Sequence, residues 1–290
     1  MTSPTSPGAH HERTVLITGC SSGIGQCVAL GLKTRGYTVI ASARKAEDVS
    51  RLQAKGLTTI QLDLADPASI KRAVEETLHF GHGKIFALFN NGAYGQPGAV
   101  EDLSREVLRQ QFETNFFGTV ELTNRIIPIM RKQGYGRIIQ NSSVLGLIAL
   151  PYRGAYNASK FALEGITDTL RLELSGTGIA VSLIEPGPIE SRFRKNAFLA
   201  YQQHIDARNS AHHDTYQKME NRLKKEGPAA PFTLPPEAVL KKVIHALESR
   251  RPRPRYYVTF PTYLFGLLRR LCSTRWLDKI LLKISSSENK

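Results

Sequence analysis

Seven short apolar runs of strand length punctuate the chain, at residues 13–18, 37–42, 58–62, 85–89, 136–143, 179–184 and 256–261. Between the first two, residues 26–35 read as a helix closed by Gly36, with a glycine-rich turn just before it. Strand, glycine turn, helix, strand is the βαβ unit that binds a dinucleotide. Another helix is predicted over residues 235–248, where Pro235, Pro236 and Glu237 open an apolar-periodic stretch. Residues 262–284 then alternate Leu, Ile, Tyr and Trp with Arg and Lys, as a basic amphipathic helix pair would. No apolar run there approaches the ~20 residues that span a bilayer.

Two stretches carry chemistry. The first is the turn holding Gly19, Ser21, Ser22, Gly23, Ile24 and Gly25. Its glycines let backbone approach a pyrophosphate, and the helix that follows offers free N–H groups at its positive dipole end. The second is Tyr156 with Lys160. On a helix, residues i and i+4 lie on one face, so both can enter one site. An ammonium beside a phenol favours the phenolate, which predicts a Tyr156 pKa drawn down toward neutrality.

Composition narrows the class. The 290 residues are 41% hydrophobic and 22% charged, as in an ordinary soluble α/β protein. Cys20, Cys27 and Cys272 have no paired spacing, which argues against disulfides or a zinc site and fits a reducing, cytoplasmic setting. Residues 1–12 are rich in Ser, Pro, Gly and His with no apolar core, and read as a disordered leader rather than a signal peptide. The net charge of +14 is concentrated in the tail: residues 241–290 hold twelve Lys/Arg against Glu248, Asp278 and Glu288. No nucleic-acid motif or basic stripe in the main domain accompanies that charge, so nucleic acid is not an expected partner.

The glycine spacing G-x-x-x-G-x-G after Thr18 resembles that of the short-chain dehydrogenase/reductase family, and further landmarks stand in register. Asp63-Leu64 resembles the family's adenine-side aspartate, and Asn90-Asn91-Gly92-Ala93 sits where the family has Asn-Asn-Ala-Gly, with Gly and Ala exchanged. Asn115 matches its helix asparagine. Ser143 stands thirteen residues before Tyr156, the spacing of the family's catalytic serine, with Ser142 the weaker choice. Pro186, Gly187, Ile189 and Ser191 resemble its nicotinamide-side loop, with Ser for the usual Thr. The resemblance covers roughly residues 14–191. It implies a Rossmann-type α/β fold, doubly wound around a mostly parallel seven-stranded sheet, over residues 13–261. It also implies a carbonyl–alcohol oxidoreductase in which Tyr156 donates the proton and Ser143 steadies the carbonyl. Lys160 would keep the phenol acidic and hold the ribose, and Asn115 would hold a water that links Lys160 to solvent.

The second strand runs out through Arg44 and Lys45 with no acid before Glu47. A carboxylate there would hold a ribose 2′-hydroxyl, whereas Arg44, helped by Ser21, suits a 2′-phosphate, so NADP(H) is the expected cofactor. Residues 192–234 are expected to form a substrate lid, with Phe193, Phe198, Leu199, Tyr201 and Tyr216 facing the substrate or packing on the sheet. Leu145, Leu147, Ile148 and Leu150 are expected on the opposite wall. Few polar anchors point to a hydrophobic carbonyl compound. The whole chain resembles bacterial NADP-dependent aldehyde reductases, relatives of the retinol and 17β-hydroxysteroid dehydrogenases. A non-catalytic NADP(H)-binding redox sensor is the alternative class, although such proteins usually lack the Tyr or Lys present here. The family usually forms homodimers or homotetramers. The basic tail at 262–290 is expected to pack on its own domain or on a partner subunit, with peripheral contact with an anionic membrane as the alternative.

Overall fold

A computed structural model describes residues 13–225, 227 and 230–288, so the expected leader lies outside the described residues. In chain order the strands and helices are β1 (Thr14–Ile17), α1 (Gly23–Thr34), β2 (Thr38–Ala43), α2 (Ala46–Gln53), β3 (Thr58–Gln61) and α3 (Pro67–Phe80). Then come β4 (Ala87–Asn90), α4 (Arg105–Phe112), α5 (Gly118–Gln133), β5 (Gly136–Asn141), α6 (Gly154–Glu173) and β6 (Ile179–Glu185). The chain continues through α7 (Phe193–His204), α8 (His213–Lys224), α9 (Glu237–Glu248), β7 (Arg255–Tyr257), α10 (Phe260–Leu271) and α11 (Thr274–Glu288).

The seven strands form one sheet in the order β3-β2-β1-β4-β5-β6-β7, and every pairing is parallel. Because the order reverses between β1 and β4, a crevice opens beyond their carboxyl ends, where ligands bind in open α/β sheets. One face buries Val15, Ile17, Val39 and Phe89 under α1 and α9. The other buries Leu16, Ile40, Leu88 and Ile138 under α3 and α5. Adjacent strand residues thus go to opposite layers, which is why the strands read as continuous apolar runs.

Three further parts build on this frame. Helices α7 and α8, in the segment expected to be a lid, pack with α4 through Leu103, Val107, Tyr201, Tyr216 and Met219. The segment's two ends are stitched together by Glu190 N–H to Leu234 O at 3.0 Å and Leu234 N–H to Pro188 O at 3.2 Å. The tail helices pack on their own domain: Phe265, Leu268, Leu277 and Leu281 meet Leu145, Ile148 and Leu150. The predicted seventh strand is cut short. Strand β7 ends at Tyr257 and α10 starts at Phe260, because Pro261 falls in a first helical turn, where a missing N–H costs nothing.

A buried charge cluster ties strands to helix. From β7, Arg255 donates to Glu164 and to Glu185, and to Asp168 at 2.6 Å. Burial pushes the Glu185 carboxyl up to about 8 and raises Glu164 as well, with Arg255 opposing the rise in both. Removing one partner of a buried pair strands the others. We expect Arg255→Leu to cost about 3 kcal/mol of folding stability, read as a lowered urea midpoint with unchanged slope. A loss below about 0.5 kcal/mol would show that the cluster is no structural tie.

Candidate active site

The cleft at the carboxyl ends of the strands has a volume of about 1010 Å³ and is lined by residues that directly follow them. Gly19 comes after β1, Asn91 after β4, Asn141 to Ser143 at the end of β5, and Pro186 to Ser191 after β6. Tyr156 and Lys160 enter from the first turns of α6.

Lys160 is buried, and its Nζ donates to the Asn141 carbonyl at 2.7 Å while lying 5.6 Å from the centre of the Tyr156 ring. The Ser143 hydroxyl is close enough to the Tyr156 phenol to favour its ionised form, and its Oγ accepts from Leu145 N–H at 3.1 Å. Ser142 also borders the cleft, but its buried Oγ makes no hydrogen bond among the described residues. Of the two serines, Ser143 is the one that meets the phenol.

The expected acidification of Tyr156 is not what the structure shows. Burial pushes its phenol up to about 12, opposed only by the Ser143 hydroxyl. Burial likewise lowers Lys160 to about 8, with Glu164 one turn away pulling in the opposite direction. The physical reason is desolvation: both groups lose water, and the ammonium is engaged by a backbone carbonyl rather than by the phenolic oxygen. In this arrangement Tyr156 stands protonated at neutral pH, the form that can donate.

Asn115 also differs from expectation. It lies in a π-helical turn over Glu113–Phe117, and its side chain is committed to Tyr94. Its Nδ2 donates to Tyr94 O at 2.9 Å and its Oδ1 accepts from Tyr94 N–H at 3.1 Å. It also donates to Ser159 Oγ at 3.2 Å, next to Lys160 in sequence. The side chain is therefore a brace between the turn after β4 and α6. The wide π turn, a form frequent at functional sites, occurs where the brace must fit.

The glycine turn fits a dinucleotide phosphate. Gly19 has φ of 68°, and a Cβ on Gly25 would stand 2.3 Å from the Gly19 carbonyl oxygen, so side chains are barred from both. No side chain caps the N-terminus of α1 and no acid lies in its first turn, leaving its N–H groups open to an anion. Ser21, Ser22 and Ile24 line the cleft, with Gly23 and Gly25 shaping the turn behind them.

The remaining expected contacts separate into two groups. Pro186, Gly187, Ile189 and Ser191 border the cleft, and Gly187 N–H donates to Thr259 Oγ1 at 3.1 Å. Arg44 is exposed just past β2, where its charge reaches the Tyr94 phenol. Asp63 accepts from Ala65 N–H at 2.9 Å, and Leu64 packs beside Gly92. Asn90, however, turns away from the cleft: its Nδ2 donates to Thr123 Oγ1 at 2.9 Å. Asn91 is the one at the cleft, donating to the carbonyls of Thr18 and Gly19 at 3.0 and 3.1 Å. Thr18 Oγ1 accepts from both Asn91 and Gly92 N–H, at 2.8 and 2.7 Å, so the turn closes despite the Gly–Ala exchange.

Of the five side chains expected to face the substrate from residues 192–234, Phe193 is the one that lines the cleft, edge-on to Tyr156 at 5.2 Å between ring centres. Tyr201 and Tyr216 are buried in the lid's own core, Phe198 stacks on Tyr201, and Leu199 faces solvent. On the other wall Leu145, Ile148 and Leu150 line the cleft, while Leu147 is not among its lining residues. Sequence reasoning missed Asn141, Phe232, Phe260 and Leu264. Asn141 acts through its backbone, which no side-chain pattern reveals, and the other three reach the cleft from elements far away in sequence.

Comparison with known proteins agrees with this geometry. Residues 13–202 match the short chain dehydrogenase family. The uncharacterized oxidoreductase YbbO of Escherichia coli strain K12 is 46% identical over 270 residues, covering 93% of this chain and 94% of its own. An NADPH-dependent 3-dehydrocapnine reductase of Ornithobacterium rhinotracheale is 33% identical over 280 residues, covering 93% and 96%. The crystal structure of a short-chain dehydrogenase from Streptomyces avermitilis superposes with a TM-score of 0.75 at 28% identity, covering 95% of this chain and 97% of that one. With sheet order, glycine turn and the Ser–Tyr–Lys set in place, the chain belongs to the short-chain dehydrogenase/reductase family, oxidoreductases that bind a nicotinamide cofactor.

Proposed function

We propose that the protein is an NADP(H)-dependent reductase of hydrophobic aldehydes, of medium or long chain or aromatic. The observation that carries this reading is the contrast within the cleft. Its proton-bearing groups, Tyr156, Ser143 and Lys160, gather at one place, while Leu145, Ile148, Leu150, Phe193, Ala197, Leu223 and Phe265 supply apolar walls. Polar groups at the rim are partly engaged elsewhere: Arg194 donates to the carbonyls of Lys225 and Gly227. Such walls bind an alkyl chain or ring by burial and leave the carbonyl to the few donors present.

The nicotinamide, when bound, supplies the hydride. Everything else falls to the chain. As negative charge develops on the carbonyl oxygen, the phenolic O–H of Tyr156 and the hydroxyl of Ser143 stabilise it, and Tyr156 gives up its proton to complete the alcohol. The ammonium of Lys160, held at the Asn141 carbonyl, lies beside the ring that becomes a phenolate and offsets that charge. Phe193 keeps water off the phenol from the lid side. On the cofactor side, Arg44 and the open N-terminus of α1 would hold phosphate. Arg51, ion-paired with Asp48, also brings its Nη2 within 3.5 Å of the Ser21 carbonyl beside the turn. The NADPH-dependent reductase among the relatives supports both the cofactor and the direction of reaction.

Tyr156→Phe should lower aldehyde turnover by about 10²–10⁴, with NADPH binding nearly intact by fluorescence titration. Turnover close to wild type would remove Tyr156 from the donor role. Arg44→Ala should weaken NADPH binding about ten- to a hundredfold and NADH binding little, as expected for loss of charge-assisted hydrogen bonds. Equal weakening of both cofactors would refute the phosphate contact.

A further inference from the structure

The tail helices bury one face each and leave an ordered apolar stripe uncovered. On α10, Thr262, Phe265 and Gly266 are buried against the domain. Phe260, Tyr263, Leu264, Leu267 and Leu271 are all exposed, and their spacing of i, i+3, i+4, i+7 and i+11 puts them on one side of the helix. Leu267 is 54% and Leu271 73% exposed, far from the usual fate of a helical leucine. On α11 the inward side is Leu277, Ile280, Leu281 and Ile284, while Arg275, Trp276, Lys279, Leu282 and Lys283 are exposed. Lys279 lies over the Trp276 ring at 5.4 Å.

We infer that α10 and α11 form a docking surface for the face of an anionic phospholipid bilayer. Charge complementarity selects this occupant. Along residues 260–286 stand Arg270, Arg275, Lys279 and Lys283 against a single acid, Asp278, while Arg269 is turned inward to the Leu147 carbonyl and the Phe161 ring. A second copy pairing through the same stripe would bring these cations toward their own images, whereas anionic headgroups neutralise them. Leucines, a Trp and lysines on short helices that do not span suit the boundary between headgroups and acyl chains. Among the described residues no helix is long and apolar enough to cross a membrane, so the contact is peripheral.

The stripe also leads to the cleft. Phe260 and Leu264 belong to both, and Phe232 of the lid, exposed as well, lies 5.0 Å from the Phe260 ring. The mouth of the cleft thus opens inside the apolar surface, so a lipid-soluble substrate would pass from the bilayer to Tyr156 without crossing water. This delivery rests on the aldehyde reading; the membrane surface itself does not.

The test is co-sedimentation of the full chain with vesicles of phosphatidylcholine alone and with about one third phosphatidylglycerol. The wild type should bind the anionic vesicles at least about tenfold more tightly than the neutral ones, and less tightly as salt rises. Leu267→Glu with Leu271→Glu should abolish that binding, and Lys279→Glu with Lys283→Glu should weaken it about tenfold. Both variants should keep the wild-type near-ultraviolet circular dichroism, and turnover of a short water-soluble aldehyde should be unchanged. Equal sedimentation with both vesicle types, or binding retained by both variants, would overturn the proposal. So would a wild-type dimer that the leucine variant splits into monomers, which would make the stripe a self-interface. Sedimentation needs no turnover, so a failure of the aldehyde reading would leave this result standing and separately legible.

Discussion

A buried ammonium must be answered from every side, and the organisation of this protein follows from how Lys160 is answered. Its Nζ is held by the carbonyl of Asn141, the last residue of β5, so the strand end and the first turns of α6 are fixed to each other. One turn further along the same helix, Glu164 carries the electrostatic link to Arg255 of β7, and Arg255 reaches Glu185 at the end of β6. Strands β5, β6 and β7 are thereby joined to one helix, β5 by a hydrogen bond to its last carbonyl and β6 and β7 through Arg255. Desolvation lowers the affinity of Lys160 for its proton, and Glu164 restores part of it. The residue proposed to support proton transfer is thus held by the contacts that order the sheet edge.

Around that point the chain divides its labour. The glycine turn and the free N-terminus of α1 offer shape and partial positive charge, without a side chain in the way. Residues 192–234 give the cleft Phe193, Ala197, Leu223 and Phe232, whereas Tyr201 and Tyr216 are consumed in holding α7 and α8 together; Tyr216 Oη accepts from Ala99 N–H at 2.8 Å and donates to Asp102. The tail contributes the rest of the wall. Its inward residues back the Leu145–Leu150 loop, and its first turn supplies Phe260 and Leu264 to the rim. Bringing the tail helices back over the substrate side turns an open crevice into a walled one.

Much of this was legible in the sequence because it depends on local spacing. The βαβ unit, the strand ends carrying Gly19, Ser143 and Gly187, and the helical step from Tyr156 to Lys160 are all short-range patterns, and each has its expected partner elements. What local spacing does not encode is burial. The phenol of Tyr156 was expected to be acidified by Lys160, but the ammonium is turned to a backbone oxygen and desolvation dominates. Asn90 and Asn91 are equivalent by composition, and only the alternation of a strand end decides that the first turns to Thr123 and the second to the cleft. Tyr201 and Tyr216 carry the residue type of a substrate wall, yet helix–helix packing within the lid claims them.

The apolar walls and the Ser143–Tyr156–Lys160 set are together proposed to make a reductase of hydrophobic aldehydes. Its most direct measurement is the consumption of NADPH, and of NADH in parallel, by the purified chain across a series of straight-chain aldehydes of increasing length. For a hydrophobic-aldehyde reductase, kcat/KM should climb with each added methylene until the cleft is filled, with NADPH strongly preferred. A profile flat in chain length, or no consumption of either cofactor despite tight NADPH binding, would contradict the proposal.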